Sequence, residues 1–251
     1  MLEANPYQRR FSQSNELIIA QPSFSLDQKK LELLQAVSNT ANGKGASPEK
    51  QSQVLKIVRE IEKAKPPSPN LLSDPSLAKE LLDGVWFLQY TSPSEVGDAD
   101  EFPDAWKPEF ASEGESNIET RKFQAQGSVS AAGIKVDTSN RVVQQIFDVE
   151  NQQVSNFITF DWGSVRVGGG FRQSPNIQNR AIVSFDTALI QLGEDGPKID
   201  ISFVFAFLAV LRGSKDNGWL ETTFIDDQVR IGRGNKGTMF VLTRDVAAVQ
   251  P

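Results

Sequence analysis

At Val85 the apolar residues of this chain stop recurring every third or fourth position and begin to recur every second, and that period holds to the C-terminal end. A period of two places alternate side chains on opposite faces of a pleated strand, so everything after Val85 reads as β-structure. Trp86, Leu88 and Tyr90 are expected on one face of the first strand. Further strand candidates run Thr120–Ser130, Arg141–Val149, Val154–Asp161, Val165–Phe171, Arg180–Leu192, Lys198–Leu211, Gly218–Ile225, Gln228–Gly232 and Gly237–Arg244. Turn residues separate most of them: Asp137-Thr138-Ser139-Asn140, Glu194-Asp195-Gly196-Pro197, Asn217-Gly218 and Gly234-Asn235-Lys236-Gly237. Successive strands on tight turns predict antiparallel pairing, and closing the sheet protects its edges. The expected fold is mainly β, an antiparallel β-barrel under an N-terminal helical cap.

The cap is legible in the first third. Ser25 and Gln28 stand at capping-box spacing, Leu31, Leu34 and Val37 recur at helical intervals, and Asn42-Gly43 stops the run. Ser47 caps a second helix with Pro48 in its first position, and Val54, Ile57, Val58 and Ile61 form one stripe before Pro66-Pro67. The two helices are expected to form an antiparallel hairpin. Asp74-Pro75 opens a short third helix carrying Leu77, Leu81 and Leu82 up to Gly84. Ahead of them, Arg9 and Arg10 are mixed with Glu3 and Glu16, and the longest apolar run is Leu17–Ala20, far short of a secretory signal. An organelle transit peptide is acid-poor, so this stretch reads as a flexible arm. The divisions are therefore an arm (1–24), a helical lead-in (25–83), the barrel (84–245) and a short tail (246–251).

The chain has no Cys and no His, which excludes disulfides, thiolate nucleophiles, Ser-His-Asp triads and His/Cys zinc sites. A net charge of −6 opposes a phosphate-tracking nucleic-acid surface. That charge is concentrated: from Ser94 to Glu119 nine acids face Lys107 alone, a local net of −8. Asp98, Asp100 and Asp104 lack the glycine and terminal glutamate of a calcium loop, so no metal site is expected. The acidic loop (93–119) also carries Phe102, Trp106 and Phe110 among its charges; it reads as irregular packing on the barrel, the alternative being a lid or a partner-docking segment anchored by these aromatics. Asp226-Asp227 reads as a turn, because neighbouring strand residues point to opposite faces. No catalytic arrangement is left, and no cofactor is implied.

Three features bear on a ligand. Phe203 to Leu211 is an unbroken apolar stretch containing Phe203, Phe205 and Phe207. It is too short to cross a bilayer as a helix, and reads as a strand buried on both faces or lining a cavity. Gly84-Val85-Trp86 reads either as a tryptophan of the plain core or as the form in which an indole closes a barrel floor beneath a basic residue from near the chain end, with Arg230, Arg233 and Arg244 as the candidates. Gly168-Gly169-Gly170 is followed by nothing helical, so it reads as a bulge where the sheet curls and not as a dinucleotide loop. Arg233-Gly234-Asn235-Lys236-Gly237 likewise reads as a hairpin turn.

Gly218-Trp219-Leu220-Glu221-Thr222-Thr223-Phe224-Ile225-Asp226-Asp227-Gln228-Val229-Arg230-Ile231-Gly232-Arg233-Gly234, continued by Gly237-Thr238-Met239-Phe240-Val241-Leu242, resembles the C-terminal signature of the plastid lipid-associated proteins, the fibrillins. Leu82 to Ser92 looks like that family's first barrel strand, and Leu33-Leu34 through Asn42-Gly43-Lys44-Gly45 like its helical lead-in. The likeness covers Lys30 to Arg244; Phe224 stands where the family usually has Tyr, and the acidic insertion after Ser94 is not a shared feature.

The resemblance implies a lipocalin-like barrel without catalytic activity. It also implies a place at thylakoid or plastoglobule surfaces, in a plastid or at a cyanobacterial thylakoid periphery, holding or organising carotenoids, quinones and other prenyl lipids in photosynthetic membrane maintenance and photoprotection. Its expected partners are an apolar lipid or pigment and a peripheral membrane or lipid-droplet surface; a scaffold for an enzyme of prenyl-lipid or plastoquinone metabolism is the alternative. Trp86, Leu88, Tyr90, Phe203, Phe205, Phe207 and Trp219 are the expected ligand-lining residues. Burying ~500 Å² of prenyl chain yields roughly 12 kcal/mol gross, against association costs of ~4–15 kcal/mol, so apolar contact alone suffices for binding in a well-shaped cavity.

Overall fold

The computed structural model describes residues 25–92, 128–131, 134–137, 141–203, 218–234 and 238–244. The arm (1–24), the acidic loop (93–119) and the tail (246–251) lie outside the described residues, as do Phe102, Trp106, Phe110, Phe205 and Phe207.

Helices α1 (Leu26–Val37), α2 (Pro48–Ala64) and α3 (Pro75–Leu81) precede the main sheet. Their caps stand where the sequence puts them: Ser25 accepts from the Gln28 N–H, Ser47 from Lys50, and Asp74 from Ser76 and Leu77. Each cap satisfies a donor that the first turn leaves without a partner. Lys29 near the start of α1 pairs with Glu60 near the end of α2 at 2.6 Å, as an antiparallel hairpin requires. α2 buries Val54, Ile57, Val58 and Ile61, the expected stripe. α1 is rotated from expectation. Leu31 is 56% exposed, while Lys30, Leu33, Ala36 and Val37 are buried. The inward face carries Leu33, Ala36 and Val37 into the core shared with α2 and the sheet, and Lys30 on the same face reaches Asp226 Oδ2 at 2.8 Å.

The strands are β1 (Gly84–Thr91), β2 (Ser128–Ala131), β3 (Ile134–Asp137), β4 (Val143–Asp148), β5 (Gln153–Phe160), β6 (Gly163–Gln173), β7 (Arg180–Leu192), β8 (Lys198–Asp200), β9 (Gly218–Ile225), β10 (Val229–Gly234) and β11 (Met239–Thr243). β2 and β3 form a hairpin of their own. The rest make one antiparallel nine-stranded sheet in the order β6-β5-β4-β1-β11-β10-β9-β7-β8. β6 also pairs with β7 along its length, so the sheet closes on itself in a ring, with β8 lying beside the second half of β7. That closing seam contains the triple glycine, and its register shifts between Gly168 and Gly169, the bulge expected from sequence. A Cβ on Gly169 would stand 2.0 Å from the Ser184 carbonyl oxygen, so a side chain there would force the seam apart.

A second bulge corrects the first strand. Register between β1 and β11 shifts between Leu88 and Tyr90, which makes Gln89 the extra residue and reverses the facing of everything after it. Trp86 and Leu88 face the ring interior. Tyr90 faces the other way, under the helices, in a core formed with Leu33, Val37, Val54, Ile61, Phe224 and Val241. Its hydroxyl has no partner there, and burial pushes its pKa up to about 12. The expected strand Lys198–Leu211 is also corrected within the described residues. It ends at Asp200, whose carboxylate accepts the Ser202 N–H at 2.8 Å and turns the chain, and Phe203 is 71% exposed.

Asp226 forms the β9–β10 turn and anchors α1 at once. Its Oδ1 accepts from the Gln228 and Val229 N–H groups, and its Oδ2 takes Lys30. Burial pushes its pKa up, but Lys30 and the two turn amides outweigh this and hold it below the usual aspartate value. For Lys30 burial pulls downward, and Asp226 and Asp27 reverse it, leaving the amine raised. A depressed carboxylate contributes stability above its unfolded pKa and loses it as pH falls through the folded value; the raised amine loses its contribution only as pH climbs past the usual lysine range. Asp226→Asn keeps the turn acceptor and removes the charge. The expected result is a loss of about 1–3 kcal/mol near neutral pH, with a shallower decline below about pH 4, read by urea titration at both pH values.

Candidate functional site

The interior of the ring is where the sheet brings together residues far apart in sequence. Alternation places Trp86 and Leu88 of β1, Phe147 of β4, Val154 of β5, Phe171 of β6, Val183 of β7, Leu220 and Ile225 of β9, and Leu242 of β11 against one another. Phe147 and Phe171 meet edge to face at 5.4 Å between centroids.

One end of this interior is closed. Leu71 and Leu82, on either side of α3, are buried against Trp86, whose indole N–H donates to the Leu82 carbonyl at 2.9 Å. The Arg244 guanidinium lies 4.2 Å from the Trp86 ring centroid and donates to the Leu81 and Asp83 carbonyls, both at 2.6 Å. Those carbonyls belong to the end of α3, where backbone acceptors lack partners and the helix dipole favours a cation. Gly84 has φ +100°, and a Cβ on it would come 3.1 Å from Arg244 Nη1. The glycine two residues before the tryptophan thus leaves space for the arginine. Among the three arginines left open by sequence, Arg244 seals the end.

Arg230 lies deeper. It is 3% exposed, with its guanidinium 4.8 Å from the Phe147 centroid and 5.7 Å from that of Trp86. Nη2 donates to Gln145 Oε1, and Gln145 Nε2 donates in turn to Asn156 Oδ1 at 3.2 Å. Among the described residues Nε and Nη1 have no hydrogen-bond partner. Burial, and secondarily the charge of Arg244, push its pKa down to about 9.

Arg233 serves the outer face. It pairs with Glu62 of α2 at 3.0 Å, beside a second buried pair, Arg180–Glu221, at 2.8 Å. Arg180 stacks on Trp219 at 3.7 Å. Trp219 therefore sits on the face of β9 opposite Leu220, outside the interior that the sequence reading assigned it to; pairing with Ile182 carries it to the side shared by Arg180 and Glu221. Of the expected lining residues among the described ones, Trp86 and Leu88 lie in the interior, and Tyr90, Trp219 and Phe203 do not. Phe147, Phe171 and Leu220 do, although sequence reasoning had not named them. Their positions follow from the register of Trp86, which pairing alone supplies.

The far rim is different in character. At the β5–β6 turn Trp162 is 49% exposed and stacked on Phe160 at 4.9 Å, and Val142, Leu192 and Ile199 are exposed near the same strand ends. Among the described residues no His, Cys, Asp and Glu cluster suits a metal, and no helix is long and apolar enough to cross a membrane. Among the described residues the interior is lined by apolar side chains, with the buried Arg230 guanidinium and the amides of Gln145 and Asn156 beside them.

The PAP_fibrillin family model matches residues 27–243, from α1 through β11. The chain is similar to the light-induced protein, chloroplastic, of Solanum tuberosum (24% identical, covering 86% of this chain and 67% of the relative). It is also similar to plastid lipid-associated protein 3, chloroplastic, of Brassica campestris (24%, 85% and 59%). A third relative is the chromoplast-specific carotenoid-associated protein C1 of an Oncidium hybrid cultivar (26%, 86% and 68%). No solved structure matches the chain. With helical hairpin, ring and closing strands all inside the matched span, the chain belongs to the PAP_fibrillin family.

Proposed function

We propose that this protein binds an apolar prenyl lipid, a carotenoid or a quinone, inside a lipocalin-like ring of strands, and works without catalysis at thylakoid or plastoglobule surfaces in a plastid or cyanobacterium. The observation that carries this reading is the closed sheet with its apolar interior, sealed at one end by Trp86 and Arg244. The relatives' names, which speak of plastid lipid and of carotenoid, support the class of ligand. The test is organic extraction and mass spectrometry of the protein purified from photosynthetic membranes. Near-stoichiometric carotenoid or quinone is the expected result, and a lipid-free protein defeats the reading.

The far rim is the part suited to a lipid surface. Trp162 has an amphipathic ring that is half exposed on a turn, backed by Phe160 and flanked by exposed Leu192. Trp162→Asp is expected to weaken partition onto galactolipid vesicles about tenfold, measured by co-sedimentation, while the unfolding midpoint hardly moves. Unchanged partition would place the membrane contact elsewhere.

A further inference from the structure

A buried guanidinium without a carboxylate beside it is unusual, because a charge taken out of water is normally paired. Arg230 is such a group. Among the described residues, the one charge that shifts its titration is another cation, Arg244. The rings of Phe147 and Trp86 stabilise the cation in part, but they satisfy none of its N–H groups. Gln145 takes one hydrogen of Nη2, leaving Nε and Nη1 without partners. Whichever Nη2 hydrogen Gln145 uses, the other one and a neighbouring N–H form an open edge of the fork. Two parallel donors on a planar cation match a carboxylate.

We infer that the ring interior takes a second class of ligand besides a neutral prenyl lipid: an apolar chain ending in a carboxylate, held by Arg230 with its tail along the hydrocarbon walls. This rests on the reading of the interior as a lipid site. One negative charge balances the positive charge of Arg230, and the carboxylate occupies the donors that the described residues leave open. Arg244, with Nη1 donating to the Asp83 carbonyl and Nη2 to the Leu81 carbonyl, closes the floor beneath it. A phosphate monoester carries more negative charge than the single guanidinium of Arg230 balances.

The experiment compares oleate with oleyl alcohol, the same chain with and without the charge, by calorimetric titration of delipidated full-length protein. Oleate is expected to bind about ten- to a hundredfold more tightly than the alcohol, the range of a charge-assisted hydrogen-bonded pair. Arg230→Gln is expected to bring that ratio close to one. Carbon-13 at the oleate carboxyl supplies a second readout in unaltered protein: the bound carboxyl should stay ionised to lower pH than the free acid. Equal affinity for acid and alcohol, or a ratio that survives Arg230→Gln in a folded variant, overturns the inference. If carotenoid or quinone binds while oleate does not, the carboxylate assignment falls and the lipid site stands. If none of them binds, both fall.

Discussion

Trp86→Ala is expected to remove about 3–5 kcal/mol of stability, the range for truncating a large aromatic in a close-packed core, and to lower the unfolding midpoint by roughly 6–20 °C for a domain of this size. The residue is fully buried and joins three parts of the molecule. Its ring packs on Leu71 and Leu82 around α3 and on the ring interior at Phe147. Its N–H holds the Leu82 carbonyl, and its face carries Arg244. Alanine removes the wall and the cation–π partner together, and leaves the Leu82 carbonyl buried without its donor. Trp86→Phe separates these effects: most of the volume stays and the hydrogen bond goes, so a cost of about 1–3 kcal/mol is expected. Urea unfolding with the slope checked for constancy measures both. A Trp86→Ala loss below about 1 kcal/mol would mean that α3 and not the indole closes the ring.

Much of this construction was legible in the residues. Caps at Ser25, Ser47 and Asp74, the stripe of α2, the Gly168–Gly170 bulge and the hairpin order all follow from local chemistry, and local chemistry is what a sequence prints directly. What escaped was set by register. Gln89 carries no sign that it is an extra residue, yet its insertion moves Tyr90 from the interior to the helix side. Trp219 and Leu220 are equally apolar, and only the pairing of β9 with β7 decides which one faces inward. The three arginines were indistinguishable for the same reason: Arg230, Arg233 and Arg244 differ in face and height on the sheet, not in type. Two signals were nonetheless available. Lys30 lies at helical spacing from Leu33 and Val37, and Glu62 four residues after Val58, so each places a charge on a buried stripe. A charge on such a stripe announces an opposite charge on the surface beneath, which here is Asp226 and Arg233.

Glu62 and Arg233 make the second large prediction. Burial is the main influence on both groups; it leaves the Glu62 carboxyl raised despite Arg233, and the Arg233 guanidinium lowered despite Glu62. Desolvation therefore exceeds attraction for each partner, which is the condition under which a buried ion pair adds little net stability but is costly to break. Glu62→Leu removes the acceptor of the Thr223 hydroxyl and of Arg233 while the guanidinium stays buried, and a loss of about 3–5 kcal/mol is expected. Adding Arg233→Met removes the buried guanidinium as well, although Glu221 also acts on it. The double variant should recover most of that loss, coming within about 1–2 kcal/mol of the unaltered protein, because two apolar chains of similar length can pack between α2 and β10. The raised carboxyl also fixes the sign of a pH effect. A folded state that binds this proton more tightly than the unfolded chain gains stability from it as pH falls through the raised value, opposite in sense to Asp226. Glu62→Leu should therefore lose an acid-side gain that Asp226→Asn leaves in place. If the losses of Glu62→Leu and of Arg233→Met, each measured alone, simply add in the double variant, the pair is not coupled, and α2 is held to the sheet by its apolar stripe.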